Sequence, residues 1–285
     1  MKNEQLKVNS NMNLQSSIQH PASSNMSVTE IIIVTIAGIL AGFINTLSGG
    51  GSVISLSLLI IMGLPANIAN GTNRINIFFQ SLSSVGSFAR QKMFTTMKPV
   101  WLGIPATIGS VIGAMVAVDV NKKVIEIAIT SAMVVMVFFL FYKPDRWLKG
   151  NDHLLSGKIR WWQLLIFFLA GFYGGFIQVG VGYFLLMALV LGIGYDLVQA
   201  NAVKNLIVFF YALFALAVFM INGQVHYLYG LILSAGSVVG ALIASHLAVK
   251  KGAGFIRAVI VVSVILTILQ ITGIINFSEL YKKIL

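Results

Sequence analysis

Residues 42–79 read GFINTLSGGGSVISLSLLIIMGLPANIANGTNRINIFF. An apolar helix breaks at Gly49-Gly50-Gly51, resumes, breaks again around Gly63-Leu64-Pro65, and then sets Asn70, Thr72, Asn73 and Arg74 inside hydrophobic sequence. A related pattern returns at residues 171–209. There Gly180-Val181-Gly182 stands in place of the triple glycine, and Ala200-Asn201-Ala202-Val203-Lys204-Asn205 in place of residues 69–74. The chain reads as two copies of one broken-helix unit, folded around a polar site that neither copy makes alone.

The composition agrees. Hydrophobic residues make up 58% of the 285 and charged residues 9%, a balance that a bilayer-embedded chain needs because lipid cannot solvate charge. The absence of cysteine excludes disulfide frameworks, thiolate metal sites and cysteine nucleophiles. A net charge of +11 would suggest nucleic acid in a soluble chain. Here the basic residues fall in a few loops between apolar runs, the positive-inside pattern, so the expected partner is the lipid bilayer and not nucleic acid.

Residues 1–28 are polar and read as a disordered tail without a signal-peptide pattern. Residues 31–47 are long enough to cross most of a bilayer core, whereas 53–62, about 15 Å at helical rise, cannot cross alone. The two make either one long interrupted helix or a hairpin. Residues 66–88, 99–118 and 124–142 are further spans, and 143–160 is the only long polar linker within the membrane region. Trp161-Trp162 open the second half with aromatics suited to an interface. Residues 164–178 and 181–193 flank the second break, and 197–221, 227–247 and 255–275 follow as spans. The expected organisation is a first membrane repeat at 29–142, a cytoplasmic linker at 143–160, a second repeat at 161–276 and a C-terminal tail at 277–285.

Placing residues 49–51 on 180–182 also places Gly63 on Gly194, Asn70 on Asn201, Asn73 on Lys204 and Arg74 on Asn205. With a connection four residues shorter, GSVIGA at 109–114 then matches GSVVGA at 236–241. Small residues four apart allow close helix packing, so one such match is generic; matches in the same order across both halves are not. Charge sets the relative orientation. The basic loops at 90–98, 143–160 and 250–257 all stay on the cytoplasmic side only if each broken segment returns to the side it came from. That puts the 63–66 turn outside and its counterpart at 194–196 inside. The expected fold is an all-α polytopic integral membrane protein of two inverted-topology repeats, each a glycine-broken hairpin plus three transmembrane helices, with 8–10 helical segments in total.

The SGGGS run resembles a phosphate-cradling loop, but no Lys closes it and membrane helices flank it, which leaves nucleotide binding without support. Its more physical reading is a broken helix whose freed amides at Gly50, Gly51, Gly180 and Gly182 face a cavity and attract an anion; the plainer alternative is tight helix packing. Arg74 is the sharpest single residue, a charge about eight residues into an apolar span with no acidic residue one turn away. It reads as the principal anion partner, with a snorkelling or carbonyl-paired arginine as the alternative. Lys204 lies at similar depth as a second cation, with a freer route to snorkel. Asn70, Asn73, Thr72, Asn201 and Gln178 complete the candidate set, since amides donate to an anion without adding charge; interhelical hydrogen bonding is the alternative for each. His226 and His246 sit at span ends, no His/Glu/Asp group has metal spacing, and no nucleophile–base set falls at one depth. Neither enzyme chemistry nor a metal or organic cofactor is expected.

The breaks GFINTLSGGGSVIS with ANGTNR downstream and GFYGGFIQVGVGYFL with QANAVKN downstream resemble the sulfite exporter TauE/SafE family of membrane permeases, over residues 31–275. Tyr173 and Gly174-Gly175 depart from the Leu-Ser-Gly run common at the second break in that family. The resemblance implies a secondary transporter, with export the expected direction, for a small sulfur-containing anion across the cytoplasmic membrane. Sulfite, sulfoacetate or another organosulfonate, thiosulfate and sulfate are the implied candidates. No ATP-binding motif is present, so a gradient must supply the energy. A proton is a candidate coupling ion, and homo-oligomerisation is left open. The competing classes are a membrane-embedded enzyme and a non-transporting sensor or scaffold.

Overall fold

The computed structural model describes residues 26–94, 96–120, 124 and 150–271. The expected span at 124–142 beyond Val124, residues 143–149 of the linker, and the tails at 1–25 and 277–285 lie outside the described residues. Before the linker come α1 (Val28–Leu47), α2 (Ser52–Ile61), α3 (Ala66–Arg90) and α4 (Lys98–Asp119). Within it lies α5 (Asp152–Ser156), and after it come α6 (Trp161–Phe176), α7 (Val181–Met187) continued by a π-helical stretch Ala188–Ile193, α8 (Leu197–Ile221) and α9 (Tyr227–Ile271). The described residues hold helices and no strand. The protein is an all-helical multi-pass membrane protein.

Local chemistry sets the boundaries. Ser27 and Glu30 close a capping box at the start of α1, each side chain bonded to the other's backbone amide at 3.1 and 2.8 Å. Asp196 caps α8 by accepting from the amides of Val198 and Gln199 at 2.8 and 3.0 Å. Four stretches are long and apolar enough to cross a membrane: Val28–Leu47, Lys98–Asp119, Leu197–Ile221 and Tyr227–Leu266. The 25-residue α3 is long enough but too polar to join them. Its polar face is buried against protein, Asn70, Thr72, Asn73, Arg74, Asn76, Gln80, Ser81 and Ser84 all lying inside. Lipid is met by other surfaces, such as Ile32, Ile36 and Leu40 on α1 and Ile104, Ile108 and Met115 on α4.

Both broken segments are hairpins. In the second, Gln163 Nε2 near the start of α6 donates to the Gly192 carbonyl at 2.7 Å, so the chain has returned to its starting level. In the first, the amide of Ser52 donates to Asn45 Oδ1 at 3.0 Å and Gly51 lies directly against the Ala41 carbonyl, folding α2 back along α1. The two hairpin turns lie at opposite ends of the bundle. At one end the Asn151 amide donates to the Gly194 carbonyl at 2.8 Å, Thr96 meets Tyr195 at 3.3 Å, and the Lys98 ammonium donates to the carbonyls of Leu155 and Gly157. At the other, the start of α3 that follows the 63–66 turn meets the loop after α8: the His226 amide donates to Thr72 Oγ1 at 2.9 Å.

Two glycine seams join the halves. Gly38 and Gly42 of α1 press on Leu233, Gly236 and Ser237 of α9, and Gly236 and Gly240 press back on Thr35 and Ile39. Gly109 and Gly113 of α4 press on Phe168 and Phe172 of α6, while Gly171 and Gly175 press back on Ala106 and Ser110. A methyl group at any of these eight positions would collide with a backbone carbonyl of the facing helix. Small residues four apart allow that approach. Each seam pairs a helix of the first half with one of the second, and the repeated GS-V-[IV]-GA motif supplies one side of each.

Candidate functional site

The two breaks meet. Gly49 carries a φ of +89° and its Cα lies against Gly182, so that a Cβ on either residue would strike the other's Cα. Only glycine tolerates both the backbone angle and the approach. Four backbone ends therefore converge near one point: α1 and α6 end there, and α2 and α7 begin there. In a low-dielectric interior the last carbonyls of α1 and α6 need donors.

Each half supplies donors to the other half's broken helix. Arg74 of α3 donates through Nη1 to the Gly174 carbonyl and to Gln178 Oε1 (2.9 Å), and through Nη2 to the Gly175 carbonyl (2.8 Å) and Asn70 Oδ1 (3.3 Å). Asn70 Nδ2 donates to the Phe176 carbonyl at 2.9 Å. The mirror arrangement comes from α8. Lys204 Nζ donates to the Asn45 and Thr46 carbonyls at 2.9 and 2.8 Å, Asn205 Nδ2 to Thr46 at 3.1 Å, and Asn201 Nδ2 to Leu47 at 3.0 Å. Cations at helix C-termini also offset the negative end of the helix dipole. By partner, Arg74 corresponds to Lys204, although alignment on the glycines sets it opposite Asn205. The return legs span equal lengths between the matched glycines, 49–63 and 180–194, and the second ends in the π-helical stretch.

The cations differ in what remains free. Arg74 spends four donor contacts on its clamp, lies under the Phe219 ring at 5.3 Å, and keeps only Nε unpaired. Lys204 uses two of an ammonium's three donors on carbonyls. It lines a cavity of about 10 Å³, close to the size of one water molecule. Around it stand Asn45, Gly49, Gln80, Gln178, Gly182 and Asn205, with Ile77, Val181 and Val208 as apolar walls. Arg74 does not line this cavity; Gln178 connects the two, taking Arg74 on Oε1 and giving Nε2 to Tyr211 Oη at 2.9 Å. No described carboxylate faces either cation: Glu30 is engaged with Ser27, Asp196 caps α8, and Asp119 is exposed at the end of α4.

Of the residues singled out in the sequence, Lys204, Asn201, Gln178, Gly182, Arg74 and Asn70 gather at the crossing. Gly180, at φ +74°, starts α7, and Gly50 lies against the Tyr183 hydroxyl. Gly51 is packed on α1. Asn73 faces α2, accepting from Ser55 Oγ at 2.8 Å and from Asn76 Nδ2 at 3.1 Å. Thr72 sits at the end of the bundle beside His226. Asn45, Gln80, Asn205 and Tyr211 are further parts of the site. Asn45 carried a readable signal, an amide inside the apolar helix four residues before the triple glycine.

A family model described as "Sulfite exporter TauE/SafE" matches residues 34–271. Relatives named "Probable membrane transporter protein" include one from Haemophilus influenzae, 25% identical over 84% of this chain and 92% of its own length. The ORF9 protein of a Sinorhizobium species is 28% identical over 80% of this chain and 86% of its own. The YfcA protein of Escherichia coli K12 is 27% identical over 81% and 85%. No solved structure matches the chain significantly. The family match covers most of the sequence, and the chain belongs to the sulfite exporter TauE/SafE family.

Proposed function

We propose that this TauE/SafE membrane transporter is a secondary carrier that exports a small sulfur-containing anion, such as sulfite, sulfoacetate or another organosulfonate, thiosulfate or sulfate, across the cytoplasmic membrane by alternating access. One observation carries the choice of an anion: Lys204, a fully buried cation, lines a small cavity at the crossing and faces no carboxylate among the described residues. An uncompensated buried charge is expensive, and an arriving anion supplies the missing opposite charge. The third Lys204 donor and the side-chain amides of Gln80 and Gln178, each of which spends one N–H on a protein partner, suit the oxygens of a sulfite or sulfonate group. The apolar walls suit a short carbon tail. A water-sized cavity is too small for either, so the site must widen to admit its substrate.

Hairpin turns at opposite ends of the bundle and reciprocal capping of the breaks support an inverted pair of repeats around a fixed centre. The test is flux of labelled sulfite, sulfoacetate and thiosulfate in proteoliposomes, with and without a pH gradient. Saturable movement without chemical conversion is expected, and a pH gradient that drives it identifies the proton as the coupling ion. Conversion of the anion would favour an enzyme; binding without flux would favour a sensor.

A further inference from the structure

We propose that residues 253–271 of α9 are a movable arm over the crossing, with Gly252 as its pivot and Ser263 as its latch. This rests on the proposed function only in taking the crossing as the transport site.

The pivot is visible in the backbone. α9 is continuous except at Gly252, where φ is +74° and ψ −168°. That conformation is essentially restricted to glycine. Beyond its own stretch of chain, nothing lies within 4 Å of the place where a Cβ would stand. Before the pivot, α9 is locked to α1 by the Gly236–Gly240 seam. After it, the described contacts with the interior are mostly apolar: Ile256, Ile260 and Val264 are buried, and Phe255 meets Phe43 edge-on at 6.4 Å. Val261, Val262 and Ile265 are exposed, so the arm is a single layer between the lipid and the crossing.

Ser263 is the arm's buried polar side chain among the described residues. It meets both breaks at once, Tyr183 Oη of α7 at 2.6 Å and Ser48 Oγ, just after α1, at 3.1 Å. Ser48 in turn is tied to the Ile44 carbonyl at 2.8 Å, and Gly50 lies beside the Tyr183 hydroxyl. Apolar packing is non-directional and can slide, whereas these hydroxyl bonds hold one position. Releasing them lets the arm swing on Gly252 and bares the place where Gly49 and Gly182 touch.

The chain lacks cysteine, so introduced thiols report alone. Ser263→Cys in proteoliposomes is labelled with N-ethylmaleimide beside a control, Ala244→Cys, equally buried but on the locked part of α9. The expected result is labelling at position 263 at least tenfold faster than at 244; equal protection of both overturns the arm. This measurement needs no substrate, so it fails separately from the anion reading. In a second variant, Ser48→Cys with Ser263→Cys, mild oxidation should form a disulfide that lowers sulfoacetate flux at least tenfold, with recovery on reduction. Sulfoacetate is used because sulfite itself cleaves disulfides. Full flux in the oxidised protein, or no disulfide between positions whose oxygens lie 3.1 Å apart, overturns the latch.

Discussion

Replacing each buried cation in turn should separate two kinds of loss. In Arg74→Gln the carbonyls of Gly174 and Gly175 lose their charged donor, and Asn70 Oδ1 and Gln178 Oε1 lose theirs. A buried acceptor left unsatisfied costs about 1–3 kcal/mol, although interhelical hydrogen bonds measured in membranes average nearer 0.6 kcal/mol. Taking the lower half of the range for two carbonyls gives about 2–4 kcal/mol, a large part of a typical stability margin of 5–15 kcal/mol. The variant should therefore show reduced folded yield and a lower melting temperature. Arg74→Lys should recover only part, because a lysine lacks the planar fork that reaches Nη1 and Nη2 partners together.

Lys204→Gln differs. The amide still has two N–H groups for the Asn45 and Thr46 carbonyls, so the fold should suffer less. What disappears is the charge facing the cavity. A hydrogen bond to a charged group contributes about 1.5–3 kcal/mol, so anion affinity should fall about 10- to 100-fold. The loss should be larger for a dianion such as sulfate than for a monovalent sulfonate. Thermal unfolding in detergent gives the first quantity and calorimetric titration of purified, folded protein the second. If Arg74→Gln folds normally but loses affinity, while Lys204→Gln binds as before, the assigned roles are reversed and the cavity is not the site.

Gly49→Ala should abolish folded protein, since its Cβ would strike Gly182 and its φ is +89°, whereas Gly63→Ala, at φ +93° with open space around it, should cost only about 1 kcal/mol of backbone strain; yields and melting temperatures compare them. Single cysteines at Pro65 and at Lys158 should react with impermeant maleimide from opposite sides of the membrane, because Pro65 adjoins the first hairpin turn and Lys158 the end that carries the second. Labelling from one side would overturn the inverted arrangement. Partial burial holds His226 below its ordinary pKa of 6.5, and its Nδ1 accepts from the Tyr229 amide at 3.5 Å. The unfolded chain then binds the proton more readily, so this contribution to stability is complete above about pH 6.5 and is lost as pH falls towards the folded value. His226→Gln should flatten the pH dependence of the melting temperature between about pH 7.5 and 5.

The sequence carried the breaks, the hairpins and the cations because each violates a local rule: glycine runs inside apolar helices, a ten-residue helix too short to span, charges at membrane depth. Reciprocity was not legible. The bond from Arg74 to Gly175 joins residues 101 apart and ends on a backbone carbonyl, which has no letter in a sequence. For the same reason Arg74 read as the main anion partner: its charge is visible, but the four acceptors that occupy it are not. Tyr183, Tyr211 and Ser263 escaped notice because an aromatic or a serine in an apolar helix is ordinary packing until its hydroxyl finds a partner. Alignment on the glycines sets Arg74 opposite Asn205, and its likeness to Lys204 shows only in the backbone carbonyls that each cation caps.

Reciprocal capping also restricts how a carrier of this kind could move. Prising the two halves apart at the breaks would strip donors from the carbonyls of Asn45, Thr46 and Leu47 on one side and of Gly174, Gly175 and Phe176 on the other. Lipid offers no replacement donors, and at about 1 kcal/mol or more for each orphaned carbonyl the cost would approach the stability of the fold itself. The centre should therefore stay closed upon itself through the cycle, and access should alternate by movement around it. Lys204 is the exception within the clamp, because its bonds compete with a ligand: an anion that draws the ammonium towards the cavity weakens its hold on the end of α1. That couples occupancy of the site to a charged cap bordering both the substrate and the first break. Hydrogen exchange along residues 41–47 should therefore rise when sulfoacetate binds and be unaffected by sulfoacetate in Lys204→Gln. Exchange that is insensitive to the anion in the wild-type protein would rule this coupling out.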